Sequence, residues 1–355
     1  MLTLVSFVFV LGVLIFIHEL GHFLIAKKVG IRVETFSLGF PPNIISKKIR
    51  ETTYCIGLIP LGGYVKMAGD NPTENITGEP WEFMSKSAFQ RMAVILAGPL
   101  MNYVLAIVLL IGVFYFGGQP VVDEERVVVG EVVTGAPADE ANLKPDDVII
   151  AVDGVSVSDM DSVRVRINAK LREQVELTWI HEGDTITTSM ITTAAAVPNI
   201  EGGVDSVGII GFVEKIQGYE KLGLATSIKK GFVTTHLIVA GTAKLLKQLL
   251  TGQVSLKMIG GPVFIAQQSG KEAKKGAASL FFFMALLSVN LAILNVLPIP
   301  ILDGGHLCFL AIEKIRGSPL SIKARVWAQQ VGMVLILGLI VAITYNDILR
   351  LIRGY

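Results

Sequence analysis

Charge is scarce in this sequence. Only 17% of its 355 residues are Asp, Glu, Lys or Arg, and 31 basic against 30 acidic groups leave a formal net charge of +1. A chain so balanced offers no basic face to a phosphate backbone, so no nucleic acid is expected among its partners. Cysteine is almost absent. Cys55 and Cys308 stand far apart and make no disulfide framework. No Lys or Arg precedes Lys27, so the apolar start of the chain lacks the basic head of a cleaved signal peptide. It also carries His18 and Glu19, which such a peptide does not need. There is no internal repeat. What is abundant is apolar side chain: 52% of residues are hydrophobic and the mean hydropathy is +0.60. These residues come in blocks, which points to a polytopic membrane protein with a water-soluble insert.

A membrane-spanning helix needs roughly 20 mostly apolar residues. Four stretches meet that need, at about residues 2–26, 92–116, 280–302 and 326–345. Tyr115 and Phe116 end the second as interfacial aromatics. A fifth stretch, 232–250, is interrupted by His236, Lys244 and Lys247, and reads as an amphipathic helix on the membrane surface or the soluble part. Short-loop charge sets the orientation. Lys27, Lys28, Arg32, Lys47, Lys48 and Arg50 follow the first stretch, and Lys314, Arg316, Lys323 and Arg325 lie between the third and fourth. Both loops are therefore expected in the cytosol, with both termini and the long segment between the second and third stretches outside.

The outer segment carries the signals of a small α/β module at about residues 126–196. Residues 127–133 and 147–152 read as strands, and Gly135-Ala136-Pro137 starts a short helix ending near Leu143. Asp153-Gly154 is a turn, and Asp159 caps a helix reaching to about Leu171. Residues 176–181 and 185–191 flank Glu182-Gly183-Asp184 as a hairpin.

The chemistry is concentrated in His18-Glu19-Leu20-Gly21-His22. Helix positions i and i+4 share a face, so both imidazoles can hold one zinc ion while Glu19 stands beside them as general base. Three ionisable groups within five positions of an apolar span are expensive there, which favours function over packing. A catalytic zinc takes a third protein ligand and leaves a position for water. Asp303 is the best candidate, at the end of Asn295-Val296-Leu297-Pro298-Ile299-Pro300-Ile301-Leu302-Asp303-Gly304-Gly305. Pro298 and Pro300 break the third span there, which is tolerated only where freed backbone groups find protein or water. The alternative role for Asp303 is to cap the element that follows. The first and third spans both run from outside to inside, so His18, His22 and Asp303 fall at one depth. Counting 232–250 as a span would send Asp303 to the other face.

Among the other histidines, His306 is a rival ligand or a partner of one, whereas His181 and His236 read as structural. Asn295 can hydrogen-bond substrate backbone or a developing oxyanion, or steady the kinked helix. On the cytosolic side, residues 53–58 and 64–67 flank Ile59-Pro60-Leu61-Gly62-Gly63 and read as a hairpin with a Gly-rich turn. Tyr54, Ile56, Leu58, Leu61 and Val65 make it greasy enough to enter the membrane. An exposed strand edge at Gly62, Gly63 and Tyr64 can hold an extended substrate by β-augmentation. Asn75-Ile76-Thr77 matches a glycosylation acceptor, without meaning on the cytosolic side.

With these motifs in place, the chain resembles the site-2 protease family, in its bacterial RseP-like branch. His-Glu-Leu-Gly-His in the first span and Asn-x-x-Pro-x-Pro-x-Leu-Asp-Gly in the third carry the resemblance, together with their order and spacing. Residues 60–66 look like the family's membrane-reentrant β-loop, and Ala97-Gly98-Pro99-Leu100-Met101-Asn102 opens the second span in the family's manner. The resemblance implies zinc held by His18, His22 and Asp303, with Glu19 activating water. It implies Pro300 beside Asn295 in substrate binding. It implies single-pass membrane substrates, namely anti-sigma factors after a first cut and remnant signal peptides. It also implies that the outer module is a circularly permuted PDZ domain. Two departures stand out. One PDZ copy is clear where some members carry two, and the PDZ turn of type A-G-L-x-x-G-D appears as Ala141-Asn142-Leu143-Lys144-Pro145-Asp146-Asp147.

The expected fold is thus a polytopic α-helical protein of the bacterial cytoplasmic membrane. It has four transmembrane helices, a cytosolic-side reentrant β-hairpin and an extracytoplasmic PDZ-like domain. The expected divisions are 1–26, 27–91, 92–116, 117–225, 226–279, 280–303, 304–325, 326–345 and 346–355. They stand for the first span, the hairpin loop, the second span, the PDZ-like domain with a following strand segment, the amphipathic segment, the third span, a cytosolic loop, the fourth span and a tail. The expected activity is zinc-dependent cleavage inside a bilayer near its cytosolic face. A second reading is a catalytically inactive membrane chaperone or scaffold with a PDZ module, which would have no use for Glu19. A metal transporter would show repeats and ligands on several spans.

Overall fold

The computed structural model describes residues 1–70, 77–198, 204–254, 260–318 and 320–353. Asn75 and Ile76 of the glycosylation-like triplet lie outside them. The chain forms two units, one from residues 1–113, 225–243 and the described part of 255–355, the other from 114–224 and 244–254. In chain order the first half holds α1 (Leu2–Lys28), β1 (Val33–Ile49), β2 (Thr52–Met67), α2 (Ala88–Gly112), β3 (Gln119–Val121), β4 (Val127–Val132), α3 (Pro137–Glu140), β5 (Val148–Val152), β6 (Val155–Ser156) and α4 (Met160–Asn168). There follow β7 (Gln174–His181), β8 (Asp184–Ile191), β9 (Thr193–Pro198), β10 (Val204–Ile209), β11 (Phe212–Glu214), β12 (Gly218–Glu220), α5 (Leu224–Leu250), α6 (Pro262–Lys275), α7 (Ala277–Val296), α8 (Asp303–Arg316) and α9 (Ile322–Arg353).

Among the described residues, four helices are long and apolar enough to cross a membrane: α1, α2 with its π-helical extension to Gly117, α7, and α9. α5 is not among them. α2 starts at Ala88 rather than Met92 because Ser87 forms a capping box with Gln90. α7 ends at Val296, short of the expected 302. Leu297 is extended at φ −61°, ψ 145°, as a residue preceding proline should be. The expected loop 304–325 instead opens with helix α8, which closes on Gly317 in the left-handed region. The expected single amphipathic segment 226–279 divides into α5 and α6.

Val10 and Leu14 of α1 bury against Met284 of α7, with Leu105 and Leu109 of α2 packed alongside. Further along α1, Gly21 meets Ala97 of α2. α1 and α7 therefore run parallel, and α2 antiparallel to both. α5 leans on the same bundle: its Gly231 faces Ile111 of α2, and Thr242 Oγ1 donates to Asn290 Oδ1 of α7 at 2.8 Å.

The expected hairpin pairing is corrected. Residues 53–58 and 64–67 both belong to β2 and do not pair with each other. The first half of β1 lies between them: Phe36 pairs with both Tyr54 and Val65, and Ser37 with both Cys55 and Tyr64. The second half of β1 then folds back on the outer side, pairing Ile45 with Ile56 and Ile49 with Thr52. The result has four strand segments in the order 63–67, 33–40, 52–59 and 43–49. Residues 63–67 occupy one edge of it.

In the other unit β11, β4, β5, β7 and β8 are hydrogen-bonded in that order, with β6 on β5. Alternate residues Val175, Leu177 and Trp179 of β7 point into the core, where they meet Val127, Val129, Ile149 and, from α4, Val163 and Ile167. Asp159 caps α4 by accepting from Ser162 N at 2.7 Å. α4 stops at Asn168, before the expected Leu171, as Thr192 Oγ1 donates to the Lys170 carbonyl at 2.5 Å and holds it outside the helix. Strand β11, in the strand segment expected after the module, pairs along the edge of β4. In the altered PDZ-type turn, Asn142 and Asp146 take φ of +63° and +77°, the positions where the family pattern has glycine. Their short polar side chains tolerate that region better than most.

Candidate metal centre

The functional side chains come from two helices, α1 and α8. His18 and His22, one turn apart on α1, present imidazoles with ring centroids 4.8 Å apart at 86°. Asp303 comes from the first turn of α8. The loop through Pro298 and Pro300 folds back onto that turn so closely that a Cβ on Gly304 would stand 2.1 Å from the Leu297 carbonyl oxygen. The capping alternative is not what the structure shows: Leu302 holds the N-cap position without a side-chain bond, while Asp303 opens α8 and faces both histidines.

His18 Nε2 lies 3.2 Å from Asp303 Oδ2, His22 Nε2 lies 3.5 Å from it, and the two Nε2 atoms are 3.2 Å apart. Ligands at zinc distances of about 2.0–2.1 Å in a tetrahedron stand about 3.3 Å from one another. Asp303 Oδ2 is buried and has no hydrogen-bond donor. A buried carboxylate oxygen in that condition is costly without a cation. No other group of three or more His, Cys, Asp or Glu residues among the described residues could hold a metal.

α2 closes the site from behind. His22 Nδ1 lies 2.8 Å from the Val94 carbonyl oxygen, to which it donates. That leaves the lone pair on Nε2, as a metal ligand requires. Gly98 lies against both rings: a Cβ there would be 2.3 Å from His22 Nε2 and 2.8 Å from His18 Cε1. Gly21 allows the same closeness from the other side, since a Cβ on it would be 2.3 Å from the Ala97 carbonyl oxygen.

In front lies a cavity of about 580 Å³, lined by His18, Glu19, His22, Tyr64, Val65, Met67, Arg91, Asp303, His306 and Arg325 among others. Glu19 faces it beside the metal cluster. The edge segment of β2 lies over α1 here, and a Cβ on Gly63 would come within 3.2 Å of Glu19 Cγ. Gly62 packs under the Phe40 ring, which stacks on Tyr64 at 6.4 Å.

The chain matches the peptidase family M50 over residues 6–339. This chain belongs to peptidase family M50. It is 34% identical to the "Putative zinc metalloprotease Atu1380" of Agrobacterium fabrum over 98% of this chain and 96% of that one. It is 32% identical to the zinc metalloprotease RasP of Geobacillus kaustophilus, over 98% and 97%. Among solved structures, the PDZ domain of the SdrC-like protein from Listeria monocytogenes is similar to 26% of this chain over 90% of its own length, at 19% identity and a TM-score of 0.21. This M50 peptidase is thus a zinc metalloprotease of the site-2 type, with helices suited to a lipid bilayer.

Of the other residues expected at the site, Tyr64 lines the cavity. Asn295 and Pro300 do not line it; Pro300 instead faces Gly332 of α9. His306 lines the cavity but is not part of the three-residue cluster. Sequence reasoning gave no role to Val94, Gly98 or Asn102, although a Gly-Pro pair and an Asn inside an apolar span were signals of one. It also missed a second cluster on the cavity wall. Arg91 holds Glu313 bidentately at 2.5 and 3.3 Å, and Arg325 reaches the same carboxylate at 3.4 Å, joining α2, α8 and α9.

Proposed function

We propose that this M50 peptidase hydrolyses peptide bonds within the membrane-spanning segments of single-pass membrane proteins, with anti-sigma factors after a first cut and remnant signal peptides as the substrate classes. The observation that carries this reading is one cavity holding the His18–His22–Asp303 cluster, Glu19 and an open strand edge. His18, His22 and Asp303 would hold zinc, which would supply Lewis acidity and make water a better nucleophile at neutral pH. Glu19 removes the proton from that water and returns it to the leaving amine. A helical substrate hides its amides, so it must be unwound before attack. The edge at Gly62, Gly63 and Tyr64 offers backbone groups to hold it extended. Asn295 and Pro300 act further along the substrate path. The deciding experiment is cleavage of candidate single-pass substrates by wild type and Glu19→Gln in one membrane. Full proteolysis by Glu19→Gln would end this mechanism. An inactive scaffold would behave identically with either residue.

The reading extends to placement. We assign this chain to the bacterial cytoplasmic membrane, with both termini extracytoplasmic and the metal centre near the cytosolic face. The parallel run of α1 and α7 supports it, since a lone crossing by α5 would make them antiparallel. Cys55 is buried and a poor reporter. A single cysteine at Gly252 in a cysteine-free background should react with an impermeant reagent from outside, and reaction only from the cytosol would refute the placement. The PDZ-like unit, read as circularly permuted and extracytoplasmic, acts as a steric filter against substrates with bulky outer domains. Replacing it with a flexible linker should permit cleavage of intact substrates that wild type ignores. Continued rejection by a folded, zinc-loaded deletion would place selectivity elsewhere.

A further inference from the structure

Asn102 lies within α2 and is fully buried. Its backbone carbonyl accepts from Ser288 Oγ of α7 at 2.7 Å, which fixes the height of its side chain in the bundle. The carboxamide meets His18 edge-on, with Nδ2 3.2 Å from ring Nδ1. Oδ1 is buried without a donor. An amide oxygen left so costs on the order of 1–3 kcal/mol, and a polar side chain in an apolar span is seldom kept for packing alone.

The orientation has a chemical consequence. With Nδ2 donating, His18 Nδ1 carries the lone pair and Nε2, 3.2 Å from Asp303 Oδ2, carries the proton. An imidazole in that tautomer cannot ligate through Nε2. The two ends of a carboxamide are isosteric, and a half-turn about Cβ–Cγ exchanges them. Oδ1 then accepts the Nδ1 proton of His18, Nδ2 moves to the place Oδ1 held, and Nε2, 3.2 Å from both Asp303 Oδ2 and His22 Nε2, is left with its lone pair. His22 already has the matching arrangement through the Val94 carbonyl.

We propose that Asn102 is the positioning residue for His18: its carboxamide oxygen accepts the Nδ1 proton and so fixes the tautomer and ring orientation that present Nε2 to zinc. This rests on His18, His22 and Asp303 being the zinc ligands. Outer partners of this kind typically set metal affinity by about 10–100-fold.

The test is zinc affinity of the full-length protein in detergent, measured by competition with a chromophoric chelator. Asn102→Leu, close in shape but without an acceptor, should bind zinc about 10–100-fold more weakly than wild type. Asn102→Asp keeps an acceptor and should restore affinity to near wild type. A purely packing role predicts the reverse order, because Leu suits an apolar bundle and a buried carboxylate does not. A folded Asn102→Leu that binds zinc like wild type overturns the proposal, as does an Asp variant no better than Leu. Should Asn102→Leu not fold, nitrogen-15 spectra of the five histidines in zinc-loaded wild type decide, with His18 assigned through His18→Gln. A protonated Nδ1 on His18 is expected; a protonated Nε2 overturns the proposal. Asp303→Ala binding zinc as tightly as wild type would overturn the ligand set itself, an outcome separate from failure of Asn102→Leu alone.

Discussion

Among the described residues, two places bring histidine against aspartate, and they are built for opposite ends. In the second unit His181 Nδ1 meets Asp147 Oδ1 at 2.6 Å, and Asp147 Oδ2 accepts from Lys144 N at 2.8 Å. Both carboxylate oxygens have partners, and the pair closes on itself. In the bundle, two imidazoles share Asp303 Oδ2 and no donor satisfies it. The residue types are the same. What separates a metal centre from a structural pair is convergence of several donors on one point with bonding capacity left over.

That contrast can be broken most directly at Asp303. Asp303→Ala should lower zinc content well below one per chain and take cleavage below detection. His181→Ala should leave both unchanged, and any loss of zinc there would erase the distinction. Next in size is Glu19→Gln. Loss of a general base typically costs about 10²–10⁴-fold in rate, so turnover should fall by that order while zinc content by metal analysis stays at the wild-type level.

A third variant probes why the bundle cluster converges. Gly98→Ala places a methyl 2.3 Å from His22 Nε2 and should cost about 1–3 kcal/mol in stability, with weakened zinc binding. Gly112→Ala, in the same helix with nothing within 4 Å, is the control and should be neutral or stabilise by about 0.5–1 kcal/mol. Equal unfolding midpoints for the two variants would show that the imidazoles are not confined by α2. The smallest effect concerns pH. The hydrogen bond to Asp147 raises the His181 pKa above its ordinary 6.5. A raised folded-state value means that the stabilisation is complete below about pH 6.5 and disappears as pH rises through the shifted value. Corrected for intrinsic exchange rates, amide exchange in β7 should therefore be slower in acid than in mild alkali in wild type. His181→Gln should show no such difference.

How much of this was readable beforehand follows from the range of each signal. His18 and His22 are one helical turn apart, so a local period reveals them. Asp303 needed a second signal, the proline break, because it lies far along the chain. The pairing of 33–40 between two parts of β2 was not readable. Nothing local tells a strand that its neighbour on one side comes 18 residues later and on the other about 30, as Phe36 does with Tyr54 and Val65. The support for the histidines was hidden for a similar reason. Val94, Gly98 and Asn102 lie more than 70 residues from the rings they serve, and only the packed bundle shows what they touch.

The glycine contacts between α1 and α2 also bear on how anything gets in. With Gly21 pressed on one backbone and Gly98 under two rings, these helices pack with no room between them for a side chain at either position. Moving one against the other would pull apart the proposed metal ligands and the groups that support them. Under the proposed function, a transmembrane substrate arriving through lipid would have to push on a different wall. α9 is the candidate leaf of that door, since it borders the cavity through Val326 and Gln329 and is tied to α2 through the Arg325–Glu313–Arg91 latch. A crosslink stapling α1 to α2 should leave turnover intact, whereas one stapling α9 to α8 should stop a transmembrane substrate yet spare a short soluble peptide.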